Sequence, residues 1–191
     1  HGVAPYFCEQ PVKSNLPSNP TIGVVGRIDP EKNLLEIFEA LRLSKLNHIL
    51  LKIVSPNAKN NKELAKLIDA YKDQHVDITD GGDSGPKLYE GIDILVSCSK
   101  GEGFSNVVAE AASLGIFCVV SNVGMSEQIT VESRSKFYTK GDVNSLASIL
   151  SNLCSKARTA SSVDVDQYRK KWSANQFYEK HVEVYRENAD S

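Results

Sequence analysis

From residue 21 onward, short continuous apolar runs alternate with longer segments in which apolar residues recur every three or four positions. The runs at 22–26, 49–54, 76–79, 92–97 and 117–121, with a weaker one at 136–138, predict about six strands. Between them the helical period predicts helices at 31–44, 61–74, 106–114 and 143–156. A strand that stays apolar without alternating is buried on both faces, and strand–helix alternation joins such strands in parallel through crossovers. The expected fold class is therefore α/β, a Rossmann-like doubly wound parallel sheet with flanking helices. Ligands of such sheets bind beyond the carboxyl ends of the strands. No repeat of 20 to 50 residues is visible, which excludes solenoids.

The flanks differ from this core. Residues 1–20 hold Pro5, Pro11, Pro17 and Pro20, four of the seven prolines, and read as an extended connector. Residues 21–160 form the expected domain, and 161–191 a helical tail rich in aromatics: Tyr168, Trp172, Phe177, Tyr178 and Tyr185. Phe177, His181 and Tyr185 recur every four residues, with Trp172 extending the stripe. Such a stripe covers the sheet, with docking onto a partner domain outside the chain as the alternative.

Composition narrows the function classes. With 22 Lys and Arg against 24 Asp and Glu in 191 residues, the net charge is −2, without the basic excess of a nucleic-acid binder. Cys8, Cys98, Cys118 and Cys154 are far apart and form no Cys-x-x-Cys pair, which predicts reduced thiols and a cytoplasmic protein without a cysteine metal site. No apolar stretch approaches the ~20 residues that span a bilayer. The chain opens on His1 and has a single methionine, Met125, so a processed or excised piece of a longer protein is expected.

Two segments carry candidate chemistry. The first strand runs into Gly26-Arg27-Ile28-Asp29-Pro30-Glu31-Lys32-Asn33, with Asp29 as a candidate N-cap and Pro30 at the first helical position. A helix start after a strand offers free amides and a positive dipole end to an anion; Arg27 and Lys32 add two cations. The Gly-x-Gly-x-x-Gly dinucleotide fingerprint is absent, which counts against a nicotinamide dehydrogenase. The fourth strand runs into Ser99-Lys100-Gly101-Glu102-Gly103-Phe104-Ser105-Asn106-Val107-Val108-Ala109-Glu110. Gly101 and Gly103 permit a tight backbone path, Ser105 is the candidate cap, and the amides of Asn106, Val107 and Val108 would form a second anion cradle. Glu110 lies one turn inside a helix of small apolar residues, where a carboxylate needs a partner; vicinal sugar hydroxyls would supply one. Asp80-Gly81-Gly82-Asp83 reads as a glycine turn.

Gly26-Arg27-x4-Lys32 together with Glu102-Gly103-Phe104-x5-Glu110-Ala111 resembles the carboxyl-terminal, donor-binding half of GT-B-fold glycosyltransferases, the retaining family 4 or group 1 enzymes with two glutamates separated by seven residues. The similarity runs from His1-Gly2-Val3, which is similar to the family's interdomain crossing, through Asp93-Ile94-Leu95-Val96 to the closing helix. Cys98 and Phe117 stand where the family often has proline, Ser105 and Asn33 where it often has glycine, and a second glycine after Gly124 is missing.

The resemblance implies one half of a GT-B fold that binds a UDP-, GDP- or ADP-sugar without a cofactor or a metal. It implies that Gly26, Arg27 and Lys32 serve the diphosphate, helped by Gly103, Phe104, Ser105, Asn106 and Val107. Glu110 would hold the ribose and Glu102 the sugar hydroxyls, with Glu102, Arg27 and Lys32 as the catalytic group; Glu127 matches the acidic residue of the next loop. A glycan or lipid-linked acceptor would be met by the N-terminal domain, in polysaccharide or glycan biosynthesis. No nucleic acid is implied, and contact with the inner membrane face would come only through the absent half. The piece should bind donor yet transfer no sugar alone. The alternatives are a non-catalytic nucleotide- or anion-binding α/β module, and a GT-B-fold sugar-nucleotide epimerase.

Overall fold

The computed structural model describes residues 2–81, 85–159 and 161–173. The chain runs α1 (Pro5–Cys8), β1 (Asn15–Leu16), β2 (Ile22–Val25), α2 (Leu34–Leu43), β3 (Leu51–Ser55), α3 (Lys62–Ala70), β4 (Val76–Asp80), β5 (Ile94–Ser97), α4 (Asn106–Ser113), β6 (Phe117–Ser121), β7 (Ser135–Tyr138), α5 (Val143–Cys154), β8 (Arg158–Thr159) and α6 (Val163–Trp172). Six strands pair in parallel in the order β4-β3-β2-β5-β6-β7. This is the Rossmann-like doubly wound order, and it reverses between β2 and β5, the point beyond whose strand ends sheets of this order bind ligands in a crevice.

Alternation of side chains along each strand feeds two cores. Ile94 and Val96 of β5 join Ile22, Ile53 and Val119 under α2 and α5, where Ile37, Phe38, Leu41, Leu146 and Leu150 are buried. Leu95 faces the other way, with Val25 and Val120, toward Val108, Ala111 and Ala112 of α4. Small residues on α4 let that helix lie close to the sheet. Each fully buried Leu, Ile, Val or Phe contributes roughly 1.5–3 kcal/mol, so both faces are strongly specified.

Within the connector one helical turn interrupts the expected extended course. Ala4 is extended and Pro5 starts a helical turn that buries Phe7, while Val3 is 2% exposed. Both enter the second core beside Val165, Tyr168 and Trp172 of α6. The Val3 amide donates to the Trp172 carbonyl (2.8 Å), and β1 pairs with β8 in a separate antiparallel ladder. Three basic side chains fasten the segment. Buried Arg134 donates to the carbonyls of Lys13 (2.5 Å), Gly115 (2.7 Å) and Ser161 (3.0 Å). Arg169 donates to Ser113 and Gln10 (both 2.7 Å), and Lys13 Nζ donates to the Ile92 carbonyl (2.8 Å) beside Asp93. At this turn, long-range burial of Val3 and Phe7 outweighs a local preference for extended backbone.

The tail helix begins as expected and buries Tyr168 and Trp172. Phe177, Tyr178, His181 and Tyr185 lie outside the described residues. All four cysteines are free, with Cys98, Cys118 and Cys154 buried. Among the described residues no helix is long and apolar enough to cross a membrane.

Candidate active site

At the end of β2, Gly26 takes φ +119°, a left-handed conformation, and the nearest atom to a Cβ placed there would be Val107 Cγ2 at 3.8 Å. The chain therefore turns sharply with open space above it. Arg27 follows with its side chain 83% exposed, its guanidinium 3.8 Å from Asp29. Asp29 caps as predicted, Oδ1 accepting from the Lys32 amide at 3.1 Å with Pro30 first in the turn. What it caps, however, is a 3-10 turn, Pro30–Lys32, and not the long helix: Asn33 at φ 48°, ψ 48° breaks the predicted 31–44 helix, and α2 starts after it. The Lys32 amide is thereby occupied, so this turn brings cations to the site more than free amides.

Lys32 reaches across to the β5 loop, where Nζ donates to Glu102 Oε1. The same oxygen accepts from Ser99 Oγ at 2.9 Å. Ser99 is itself held: its carbonyl accepts from Ser121 Oγ (2.7 Å), and the Ser121 carbonyl accepts from Ser126 Oγ (3.1 Å). The Lys100 amide donates to the Glu31 carbonyl (2.8 Å) and the Met125 amide to the Gly103 carbonyl (3.2 Å), so the loops after β2, β5 and β6 are stitched together. Burial pushes the Lys32 ammonium below its usual value; Asp29 offsets part of this and Arg27 adds to it.

Ser105 occupies the N-cap position of α4 in extended backbone, but its hydroxyl makes no capping bond. The expected side-chain cap is thus absent, and helix geometry leaves the amides of Asn106, Val107 and Val108 without acceptors inside their own helix. A Cβ added at Gly101 or Gly103 would meet nothing within 4 Å, which leaves room before the helix end. The Phe104 ring turns inward onto Trp172 (centroids 5.6 Å apart), so its contribution to the site is its backbone.

Glu110 lies one turn into α4, and its Oε2 accepts from Tyr89 Oη at 2.6 Å. Burial raises the Glu110 carboxyl above its usual value, and the Tyr89 hydrogen bond pulls it partly back. Tyr89 and Ser99 are the residues that sequence reasoning missed; neither stands out by type or spacing. Glu127 is exposed, and it is Gly124 and Met125 of its loop that meet Glu102 and Gly103. Asp80 Oδ1 accepts from the Lys59 amide (3.0 Å), while Gly82 and Asp83 lie outside the described residues. Among the described residues no cluster of His, Cys, Asp or Glu could hold a metal ion.

Two cations, a helix N-terminus and two carboxylates thus surround the point where the strand order reverses. Known proteins share the fold. A glycosyltransferase from Rickettsia africae superposes with TM-score 0.72 at 22% identity, covering 88% of this chain and 47% of its own. Sucrose-phosphate synthase from Thermosynechococcus elongatus gives 0.71 at 20%, covering 92% and 47%. TarM from S. aureus, solved with UDP and alpha-GlcNAc-glycerol, gives 0.70 at 18%, covering 92% and 37%. The chain spans about half the length of the first two, as one half of a GT-B fold. No curated protein sequence matches it. The sequence profile described as glycosyl transferases group 1 matches residues 19–156, most of the chain. With its six-stranded Rossmann-like sheet, the chain belongs to the group 1 glycosyl transferases.

Proposed function

We propose that this glycosyltransferase domain binds a nucleotide-diphosphate sugar, UDP-, GDP- or ADP-linked, for transfer with retention to an acceptor hydroxyl in glycan or polysaccharide biosynthesis. The observation that carries this reading is the convergence of Lys32 and Glu102 beside the open N-terminus of α4, with Glu110 one turn inside it, at the β2/β5 reversal. TarM, of the same fold, was solved with UDP, which supports a nucleotide at this crevice.

In this reading Arg27, Lys32 and the amides of Asn106 and Val107 meet the diphosphate, with Gly26 and Gly103 leaving room for it. They stabilise charge that grows on the leaving group as the glycosidic bond breaks, a preorganised electrostatic effect. Glu110 accepts from ribose hydroxyls and Glu102 from hydroxyls of the transferred sugar. Neither glutamate is assigned as a covalent nucleophile. A glycan or lipid-linked acceptor is met by the other half of the enzyme, on the cytoplasmic side, and any membrane contact belongs to that half.

Calorimetric titration of Arg27→Ala and Lys32→Ala tests the reading. Each removes charge-assisted bonds worth about 1.5–3 kcal/mol, so nucleoside diphosphates should bind roughly ten- to a hundredfold more weakly. The parent nucleoside should bind nearly as before. Equal losses for both ligands refute the assignment, and inorganic phosphate bound as tightly as a sugar nucleotide would favour a simple anion-binding module.

A further inference from the structure

Tyr89 lies in the 3-10 turn Pro86–Tyr89, outside both sequence motifs, and is 3% exposed. Its hydroxyl, 2.6 Å from Glu110 Oε2 and 3.3 Å from the Val107 carbonyl, sits between two residues of the first turns of α4. The ring is held from behind by Phe7, whose centroid lies 5.9 Å away at 77°, an edge-to-face contact. Glu110 Oε1 has no partner among the described residues. One carboxylate oxygen is therefore fixed by a buried phenol, and no described residue engages the other.

We propose that Tyr89 is a positioning residue that holds Glu110 so that its second oxygen meets the ribose hydroxyls of the bound nucleotide. This rests on the donor-site reading above and adds to it how ribose recognition is set. A carboxylate on two or three rotatable bonds loses rotamer freedom when it binds, and a side chain already held in place loses less. Phe7 extends the chain of contacts to the connector, so this segment touches the support of Glu110.

The test compares wild type, Tyr89→Phe, Glu110→Gln and the double variant by titration. The probes are UDP, GDP and ADP, and for whichever binds most tightly, its 2′,3′-dideoxy counterpart. Wild type should prefer the ribose form. Tyr89→Phe should lose about tenfold of that preference, the size of one hydrogen bond to a charged group, while its affinity for the dideoxy form stays within about twofold. The double variant should be no worse than Glu110→Gln, because the phenol acts only through the carboxylate. A purely structural role for Tyr89 would weaken both ligands alike, and that result, or an unchanged ribose preference, overturns the proposal. If wild type binds none of the three nucleotides, or Glu110→Gln keeps the preference, the donor-site reading itself fails and the inference falls with it. Should the phenylalanine variant not fold, 4-fluorophenylalanine at position 89 fills the hydroxyl's volume without donating and is judged by the same criteria.

Discussion

Gly124 is the position where a single methyl group should disturb the site most. It adopts φ +55°, and a Cβ there would be 2.9 Å from the Glu102 carbonyl carbon, 3.1 Å from the Gly103 oxygen and closer still to the Glu102 oxygen. Real Cβ atoms essentially never come within 3.0 Å, and the obstacle is backbone, so the Glu102 peptide must retreat by about an ångström. Alanine in the left-handed region costs about 1–2 kcal/mol by itself. Disturbing the Met125–Gly103 bond adds about 1 kcal/mol. Gly124→Ala should therefore lose about 2–3 kcal/mol, a fall of roughly 4–12 °C in Tm for a chain of this size. An ångström of displacement at a reacting group can cost about a hundredfold in rate. Gly103→Ala is the control: a Cβ there meets nothing within 4 Å, so stability should hold while the added methyl narrows the crevice and weakens nucleoside-diphosphate binding. Thermal unfolding and titration calorimetry on both variants give the readout. A Gly124→Ala protein with the wild-type Tm and wild-type affinity would refute the claim that this loop is seated on the Glu102 peptide.

Arg134→Met should destabilise the chain by at least about 3 kcal/mol in urea unfolding, since it strips a buried cation from the carbonyls of Lys13, Gly115 and Ser161 and leaves them without that donor. Alkaline pH should destabilise it through the thiols. Burial pushes Cys98 and Cys118 up to about 12, so the folded chain keeps protons that the unfolded chain releases above its value of 9.0. Stability is full below pH 9 and falls as pH rises toward 12, by on the order of 1 kcal/mol per thiol at pH 10. Cys118→Ala, whatever its own cavity cost, should flatten that slope in unfolding curves taken at pH 8 to 10; an unchanged slope would count against buried thiols as its cause.

Sequence reasoning worked where burial is periodic and failed where it is not. The strand at 117–121 is recovered with its bounds because it is buried on both faces throughout. The run at 49–54 starts two residues late, because Ile49, though buried, closes a turn onto Leu46 before the ladder begins. The 31–44 helix was legible as a helix but not its break, since Asn33 in the left-handed region has no signature in hydrophobic period. The same limit governs the site. Arg27, Lys32, Glu102 and Glu110 were legible as candidates because charged residues after a strand, or on an otherwise apolar helix, stand out by type and position. Ser99 and Tyr89 could not, because their role is a contact: the Tyr89–Glu110 bond joins residues 21 apart through a turn whose course the sequence leaves open.

These supporting contacts also bear on how the site takes up a ligand. Glu102 Oε1 accepts from both Lys32 and Ser99, and Glu110 Oε2 from Tyr89, while the second oxygen of each has no partner among the described residues. The two acids are therefore similar in design: each is anchored through one oxygen, with the other unengaged by the described residues. The anchors differ in kind. Ser99 and Tyr89 are neutral; the Ser99 hydroxyl also lies 3.5 Å from Ser97 Oγ and the Tyr89 hydroxyl 3.3 Å from the Val107 carbonyl, and neither carries a charge for which a phosphate would compete. Lys32 is charged, and under the proposed function a diphosphate would compete with Glu102 for it. Binding would then be an exchange, in which the cation turns from carboxylate toward phosphate and Glu102 keeps its serine. Because a carboxylate that loses its cation would remain hydrogen-bonded, such an exchange would leave no unpaired acid behind, and the freed charge of Glu102 would be available to the hydroxyls of a donor sugar.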